Sequence, residues 1–212
     1  MRKLFLLILI LITHSTILLG CSERYFPKGA FSIDDDLGNK YYTELLVEMD
    51  EPSIWLRLNT DKKIESYRLL IDPPFGNIIC IRIDIDYSGK TVVYEKVASH
   101  DNKDENGIEI KGELIASKTK ELEKKEIYNL LNQIEKIKLF EMNSEDFPIH
   151  ATEFTSGSET YFEVVTDVPL FIFEQLKGDK YKFIEMPLPN DGPIDNAKLD
   201  EITQLFFELA ED

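Results

Sequence analysis

Cys80 is a residue that could carry chemistry, because a deprotonated thiol is both a nucleophile and a metal ligand. A nucleophilic thiol needs a positioned base, and beyond its first 22 residues the chain offers only the imidazoles of His100 and His150. Nothing in their spacing joins either histidine to Cys80. The alternation of the surrounding residues places Cys80 opposite a row of isoleucines on a strand. We therefore interpret Cys80 as a small filler on the second face of a sheet.

Oxygen-bearing side chains between Asp84 and Glu95 have the spacing of a calcium-binding loop. Asp84, Asp86 and Ser88 stand at positions 1, 3 and 5, Gly89 at position 6 and Glu95 at position 12, as in a helix–loop–helix calcium site. The residues on both sides, however, alternate in hydrophobicity as strands do. We predict an acidic hairpin turn here, and calcium binding is retained as an alternative function.

Other catalytic patterns are missing from the sequence. It contains no G-x-S-x-G and no glycine-rich phosphate loop, and two isolated histidines are a weak signal for zinc. The 40 acidic residues leave a carboxylate-dependent hydrolase of the cell envelope as an alternative, but no pair stands out. We predict no catalytic, cofactor-binding or metal-binding residue and expect a non-enzymatic protein.

The first 22 residues have the layout of a secretory signal. Arg2 and Lys3 precede nine apolar residues at 4–12, and no acidic residue occurs before Glu23. A helix that spans a bilayer needs about 20 apolar residues, so this run is too short to be one. The pattern predicts that residues 1–20 form a signal peptide that is removed after export.

The stretch Leu18-Leu19-Gly20-Cys21 resembles the lipobox of bacterial lipoproteins. The resemblance implies that Cys21 Sγ receives a diacylglycerol, that cleavage falls before Cys21, and that the new amino group receives a fatty acid such as palmitate. Two or more acyl chains hold a protein stably on a membrane, whereas one does so marginally. In a Gram-negative envelope, Ser22 implies passage to the periplasmic leaflet of the outer membrane. The membrane is thus an expected partner, bound through Cys21.

The charge of the chain is strongly negative. It has 24 Lys and Arg against 40 Asp and Glu, a formal net charge of −16, and loss of the signal would remove Arg2 and Lys3. Phosphates repel such a surface, so we expect no nucleic-acid partner. An anionic leaflet repels it too. A basic envelope protein is the partner that this charge favours.

Residues 21–40 are predicted to be a lipidated N-terminus and flexible tether, and residues 41–212 a single domain. The tether contains Pro27, Gly29 and the triplet Asp34-Asp35-Asp36, which we interpret as a solvated spacer rather than a calcium site.

Segment 41–58 gives two signals. Leu45, Leu46 and Met49 suit a helix, whereas residues 54–58 alternate as in a strand. We interpret Trp55, the only tryptophan, as a core anchor.

Strands and two amphipathic helices are predicted in the remainder of the domain. A helix near 123–138 carries an apolar stripe that includes Leu131, and a second helix near 195–210 closes the chain. The predicted strands are 66–71, 79–85, 91–97, 108–117 bent at Gly112, 160–165, 170–176 and 180–186. Long crossovers are scarce, so we predict an α+β fold with a mainly antiparallel sheet.

Three stretches in residues 66–210 loosely resemble an uncharacterised group of bacterial exported proteins: Ile78-Ile79-Cys80-Ile81-Arg82-Ile83, Lys111 to Ser117, and Lys180-Tyr181-Lys182-Phe183. The resemblance implies a fold and export from the cytoplasm, and no activity follows from it.

The leading hypothesis is a lipid-anchored envelope lipoprotein that acts as a non-enzymatic binding domain. Its sharper form is an inhibitor or immunity-type protein that neutralises a cationic enzyme.

Overall fold

The computed structural model describes residues 24–32, 34–60, 64–99, 102–103, 109–110, 112–138, 141–143, 151–156, 159–164, 169–187 and 196–211. The α+β fold with a mainly antiparallel sheet is confirmed. The described helices are α1 (Asp35–Glu48), α2 (Ile54–Thr60), α3 (Lys124–Ile137) and α4 (Asn196–Ala210).

A six-stranded sheet forms the centre, in the spatial order β10-β9-β1-β2-β3-β6, and every neighbouring pair is antiparallel. Its strands are β1 (Glu65–Asp72), β2 (Asn77–Ile85), β3 (Thr91–Ser99), β6 (Leu114–Glu121), β9 (Leu170–Lys177) and β10 (Lys180–Pro187). Two small hairpins are separate from it, and they comprise β4 (Asn102–Lys103) with β5 (Glu109–Ile110), and β7 (Ala151–Ser156) with β8 (Glu159–Val164).

One face of the sheet, which we call the isoleucine face, packs against α3 and α4. Ile81 and Ile83 of β2 are fully buried there, because period-two alternation puts every second residue of a strand on the same side. Leu130 of α3 and Phe206 of α4 belong to the same apolar cluster. Lys118 Nζ donates a hydrogen bond of 2.8 Å to the carbonyl of Ala210 at the end of α4, where a cation suits the helix dipole.

The opposite face, which we call the ionic face, is covered by α1, α2 and residues 24–32. Phe26 and Leu46 pack there against Leu70 of β1 and Ile172 of β9. Charged side chains are interspersed among these apolar ones, as described below. The sheet is therefore covered by helices on both sides, and residues 170–173 of β9 are apolar on both faces, as the Phe171/Phe173 and Leu170/Ile172 alternation predicts.

Most of the predicted tether is folded, which corrects the expected boundary at residue 40. Phe26 and Phe31 are buried, and Asn39 Nδ2 donates to the carbonyl of Phe26 over 3.0 Å. The acidic triplet is the start of helix α1 and not a spacer, since the Asp34 carboxylate accepts the Leu37 N–H at 2.9 Å as an N-cap. A short acidic side chain satisfies an unpaired N–H at this position, and acids in the first turn suit the helix dipole.

Residues 54–60 form helix α2, so the strand-like alternation over 54–58 is not realised as a strand. Ser53 Oγ accepts the Leu56 N–H at 3.1 Å, which caps the helix and outweighs the alternation in its sequence. Trp55 is half-buried rather than a core anchor.

Three further differences concern the middle of the chain. Gly112, with φ +47°, separates β5 from β6, so the predicted strand 108–117 is two strands and the second continues to Glu121. Leu131 is 39% exposed, because the buried stripe of α3 is narrower than predicted. Strand β7 was not predicted at all.

No helix among the described residues is long and apolar enough to cross a bilayer.

Candidate functional site

A network of buried ion pairs lies on the ionic face, and we call it the buried ion network. Strands β1, β2, β3 and β9 supply charged side chains at positions that alternate with the apolar rows, and the α1–α2 connection and α2 complete the network from above. Its members are Glu51, Arg57, Arg68, Arg82, Asp84, Lys96 and Glu174.

Arg68 and Glu174 form the most deeply buried pair of the network, with side chains 0% and 1% exposed. Arg68 Nε donates to Glu174 Oε2 over 2.7 Å, and Tyr181 donates its hydroxyl to Glu174 Oε1 over 2.7 Å. Burial opposes the positive charge, but the neighbouring Glu174, Cys80 and Glu51, with Glu174 foremost, together outweigh it and raise the pKa of Arg68. Burial, aided by Glu174, raises the pKa of Tyr181 as well. Arg68 therefore stays charged and Tyr181 neutral.

Glu51 joins the helical layer to the sheet. Its Oε2 accepts Arg82 Nε at 2.7 Å, and its Oε1 lies 3.1 Å from Lys96 Nζ, though not aligned for a hydrogen bond. Lys96 also donates to the carbonyls of Met49 and Asp50, at 2.8 and 2.5 Å. These contacts hold the end of α1 on strands β2 and β3.

Asp84 closes the network at the other end. Its Oδ1 accepts Arg57 of α2 at 3.0 Å and Ser66 Oγ at 2.7 Å, and its Oδ2 pairs with Arg82. The guanidinium of Arg82 lies 4.0 Å from the centre of the Tyr94 ring, an arrangement that favours the cation. The carboxylate is thus fully engaged by cations.

Cys80 lies on the ionic face and is 1% exposed, as its alternation predicts. Burial raises the pKa of the Cys80 thiol well above its ordinary value, and the Glu51 carboxylate adds to this against the opposite effect of Arg68 and Arg82. A protonated, inaccessible thiol is a poor nucleophile. His100 and His150 lie outside the described residues, as does Cys21, for which lipidation stays a prediction.

The calcium-like spacing falls on the β2–β3 hairpin, and its flanks are paired strands rather than helices. Asp84 is committed to Arg57 and Arg82, while the Asp86 carboxylate accepts the N–H groups of Ser88 and Lys90 at 2.7 and 3.0 Å. The hydrogen bonds from Ser88 lower the pKa of Asp86. These hydrogen bonds are the ones by which an aspartate side chain stabilises a turn. Within the described part of the chain, no three His, Cys, Asp or Glu side chains are placed to hold a metal ion.

A carboxylate-dependent hydrolase needs two acids that face a substrate across a cleft. The three acids of the buried ion network are Glu51, Asp84 and Glu174, and each is paired with an arginine. The network can hold the α1–α2 layer in register with the sheet, and its geometry offers a substrate no open carboxylate.

An open cavity of about 350 Å³ lies beside the start of α1, and we call it the aromatic groove. It is lined by Phe31, Leu37, Gly38, Tyr41 and Tyr42, with the carboxylates of Asp34 and Glu185. The Phe31 and Tyr42 rings stack with centroids 5.3 Å apart, and Tyr41 meets Tyr42 edge to face at 4.8 Å.

Neither the buried ion network nor the aromatic groove was predicted. The network had a visible signal, because Arg68, Arg82 and Lys96 interrupt strands that are otherwise apolar, and such cations need buried partners. Two of the partners are distant in sequence, since Glu51 is 31 residues from Arg82 and Glu174 is 106 residues from Arg68. The groove gave no comparable signal, since residues 31–42 come together only through the folding of the expected tether.

No protein-family model matches this chain, and no curated protein matches it at a significant level.

Proposed function

We propose that this protein is a lipid-anchored lipoprotein of the bacterial cell envelope whose body is a non-enzymatic binding domain for a basic partner. The observation that carries the proposal is Leu18-Leu19-Gly20-Cys21 at the end of an apolar leader. In a Gram-negative envelope the anchor would lie in the periplasmic leaflet of the outer membrane.

The start of the folded domain supports a short segment between the lipid anchor and the domain. Arg24 pairs with Asp35 and Asp36 at the start of α1, at 3.0 and 2.9 Å. Arg24 is the third residue after Cys21, and three residue steps reach about 10 Å at most. The binding surface would therefore lie close to the membrane rather than at the end of a long tether.

The distribution of charge supports binding rather than catalysis. The charged side chains of the buried ion network are paired with one another under α1 and α2. The chain as a whole carries −16, which speeds encounter with a cationic protein and opposes nucleic acid. An inhibitor or immunity-type protein that neutralises a cationic enzyme is the sharper form of this proposal.

Metabolic labelling with palmitate, followed by cell fractionation, tests the anchor. We expect label and membrane association in the wild-type chain and the loss of both in Cys21→Ser. Cys80→Ala is the matched control and should keep both, because Cys80 is buried. Label retained by Cys21→Ser would contradict the proposal.

Chemical cross-linking in intact envelopes tests the binding function. We expect a cross-linked partner with a basic surface, and we expect the complex to weaken as salt is raised from about 50 mM to about 500 mM, because screening shortens the reach of charge. A complex that is indifferent to salt would contradict a charge-steered partner.

A further inference from the structure

The aromatic groove has an apolar floor that the local sequence creates. Gly38 carries no side chain, and a Cβ at this position would lie 2.6 Å from Phe31 Cγ. The ring of Phe31 is therefore able to lie directly against helix α1. Tyr42 is fixed in the stack by a hydrogen bond of 2.8 Å from its hydroxyl to Asp72 Oδ2. The floor is thus built from rings held in place by the fold.

Leu37 forms an exposed apolar edge of the groove. It lies in the first turn of α1 and 65% of it is accessible to solvent. A large aliphatic side chain beside aromatic rings makes a contiguous apolar surface, and such surfaces mark sites of interaction more often than isolated residues do.

Two carboxylates line this apolar surface, those of Asp34 and Glu185. Glu185 is held toward the N-terminal segment by the Ser32 N–H at 3.0 Å. An apolar floor with an acidic rim matches a segment in which an apolar side chain is flanked by lysine or arginine, whose stems are apolar and whose heads are charged. The faces of tyrosine rings attract such a head as well.

We propose that the aromatic groove is the docking site for a basic segment of an envelope protein, which inserts an apolar side chain flanked by lysine or arginine. This inference rests on the proposed function, because it names the surface through which the acidic domain meets its basic partner. Charge favours this occupant over the membrane surface, since an anionic leaflet is repelled by the acidic rim.

The test uses the mature full-length chain in detergent and a labelled helical peptide of lysine and leucine as the probe. We expect Leu37→Asp to weaken peptide binding about tenfold or more, because the variant removes an apolar contact. The added negative charge acts in the opposite direction, so charge cannot explain the loss. Val47→Asp is the matched control, because Val47 is 52% exposed on the same helix and does not line the groove. It should bind within about twofold of the wild-type chain.

Two further probes define the occupant. A peptide with the same charge but serine in place of leucine should bind at least about tenfold more weakly, since it lacks the apolar side chains. If the Cys21→Ser variant binds vesicles of phosphatidylethanolamine and phosphatidylglycerol, that binding should not depend on Leu37.

Each contrary result overturns the proposal. These results are failure of the wild-type chain to bind the lysine–leucine peptide, equal losses in Leu37→Asp and Val47→Asp, equal binding of the serine peptide, or vesicle binding that depends on Leu37. Cys21→Ser should bind the peptide as the wild-type chain does. A missing lipid anchor is therefore distinguishable from a groove that binds nothing.

Discussion

The two faces of the central sheet are covered by helices in different ways. On the isoleucine face, α3 and α4 pack through apolar side chains such as Leu130 and Phe206. On the ionic face, α1 and α2 combine an aromatic cluster with the buried ion network, in which the one carboxylate of Glu51 contacts both Arg82 and Lys96. The same sheet thus supports one layer by burial and the other by burial together with directed charge pairs.

The difference bears on what each layer can tolerate. Apolar contacts are non-directional, so a core of this kind accepts changes that conserve volume. A buried charge is costly unless its partner stays in place. We infer that the ion network fixes the position of α1, and with it the N-terminal segment that follows the predicted anchor.

The largest effect is expected from Arg68→Met. This variant leaves Glu174 buried without its guanidinium, and removal of one partner from such a pair costs about 3–5 kcal/mol of the free energy of unfolding. Urea denaturation followed by circular dichroism measures the loss. The double variant Arg68→Met/Glu174→Leu should recover most of it, because no charge is then left unpaired. A double variant less stable than Arg68→Met alone would contradict this account of the ionic face.

A dependence on alkaline pH is expected from Cys80. Burial raises the pKa of its thiol in the folded state, so the unfolded chain loses this proton first. The contribution of the buried thiol to the free energy of unfolding is fully present below the unfolded thiol pKa of about 8.5. It falls as pH rises above this value, by up to about 1.4 kcal/mol per pH unit.

Denaturation of the wild-type chain and Cys80→Ala between about pH 7 and pH 9 measures this slope, below the pKa of about 10 at which ordinary tyrosines titrate. The slope should be smaller in Cys80→Ala, whatever its stability at neutral pH. Parallel curves for the two proteins would show that Cys80 does not contribute.

A smaller effect is expected on the isoleucine face from Ile83→Val. Ile83 is fully buried, and loss of one methylene there costs about 0.5–1.5 kcal/mol. Because no charge is involved, the loss should be the same at low and high salt. A strong salt dependence in this variant would remove the distinction between the two faces.

The smallest effect concerns backbone strain. Lys138, which ends α3, has φ +58°, a conformation that glycine adopts freely. Lys138→Gly should therefore stabilise the protein by about 0.5 kcal/mol. Asp50, which follows α1 with φ +52°, is the matched position, and Asp50→Gly should gain less because aspartate tolerates this region better than lysine. Equal destabilisation by both variants would contradict the assignment of strain.

Local patterns were sufficient to predict much of the sheet. The alternation of Ile79, Ile81 and Ile83 with polar residues predicted β2, and the turn residues at Asp86–Lys90 predicted its hairpin with β3, which is confirmed. The two helices of the isoleucine face were predicted within a few residues for the same reason, since their apolar period of 3.6 is strong.

The layer on the ionic face was harder to predict because it depends on contacts distant in sequence. Residues 24–32 carry no periodicity and fold because Phe26 and Phe31 meet Phe183 of β10. Helix α2 is short, and its signal was the capping residue Ser53 rather than its hydrophobic pattern. Asp34 was the same kind of signal for α1, hidden within a run of three acids.

The central claim about function is that this body is moored outside the cytoplasm by acyl chains on its first mature residue. Mass spectrometry of the native N-terminal peptide tests it most directly. We predict a peptide that begins at Cys21 and carries a thioether-linked diacylglycerol and an acylated amino group. A free Cys21 thiol, or a chain that still begins at Met1, would contradict the account.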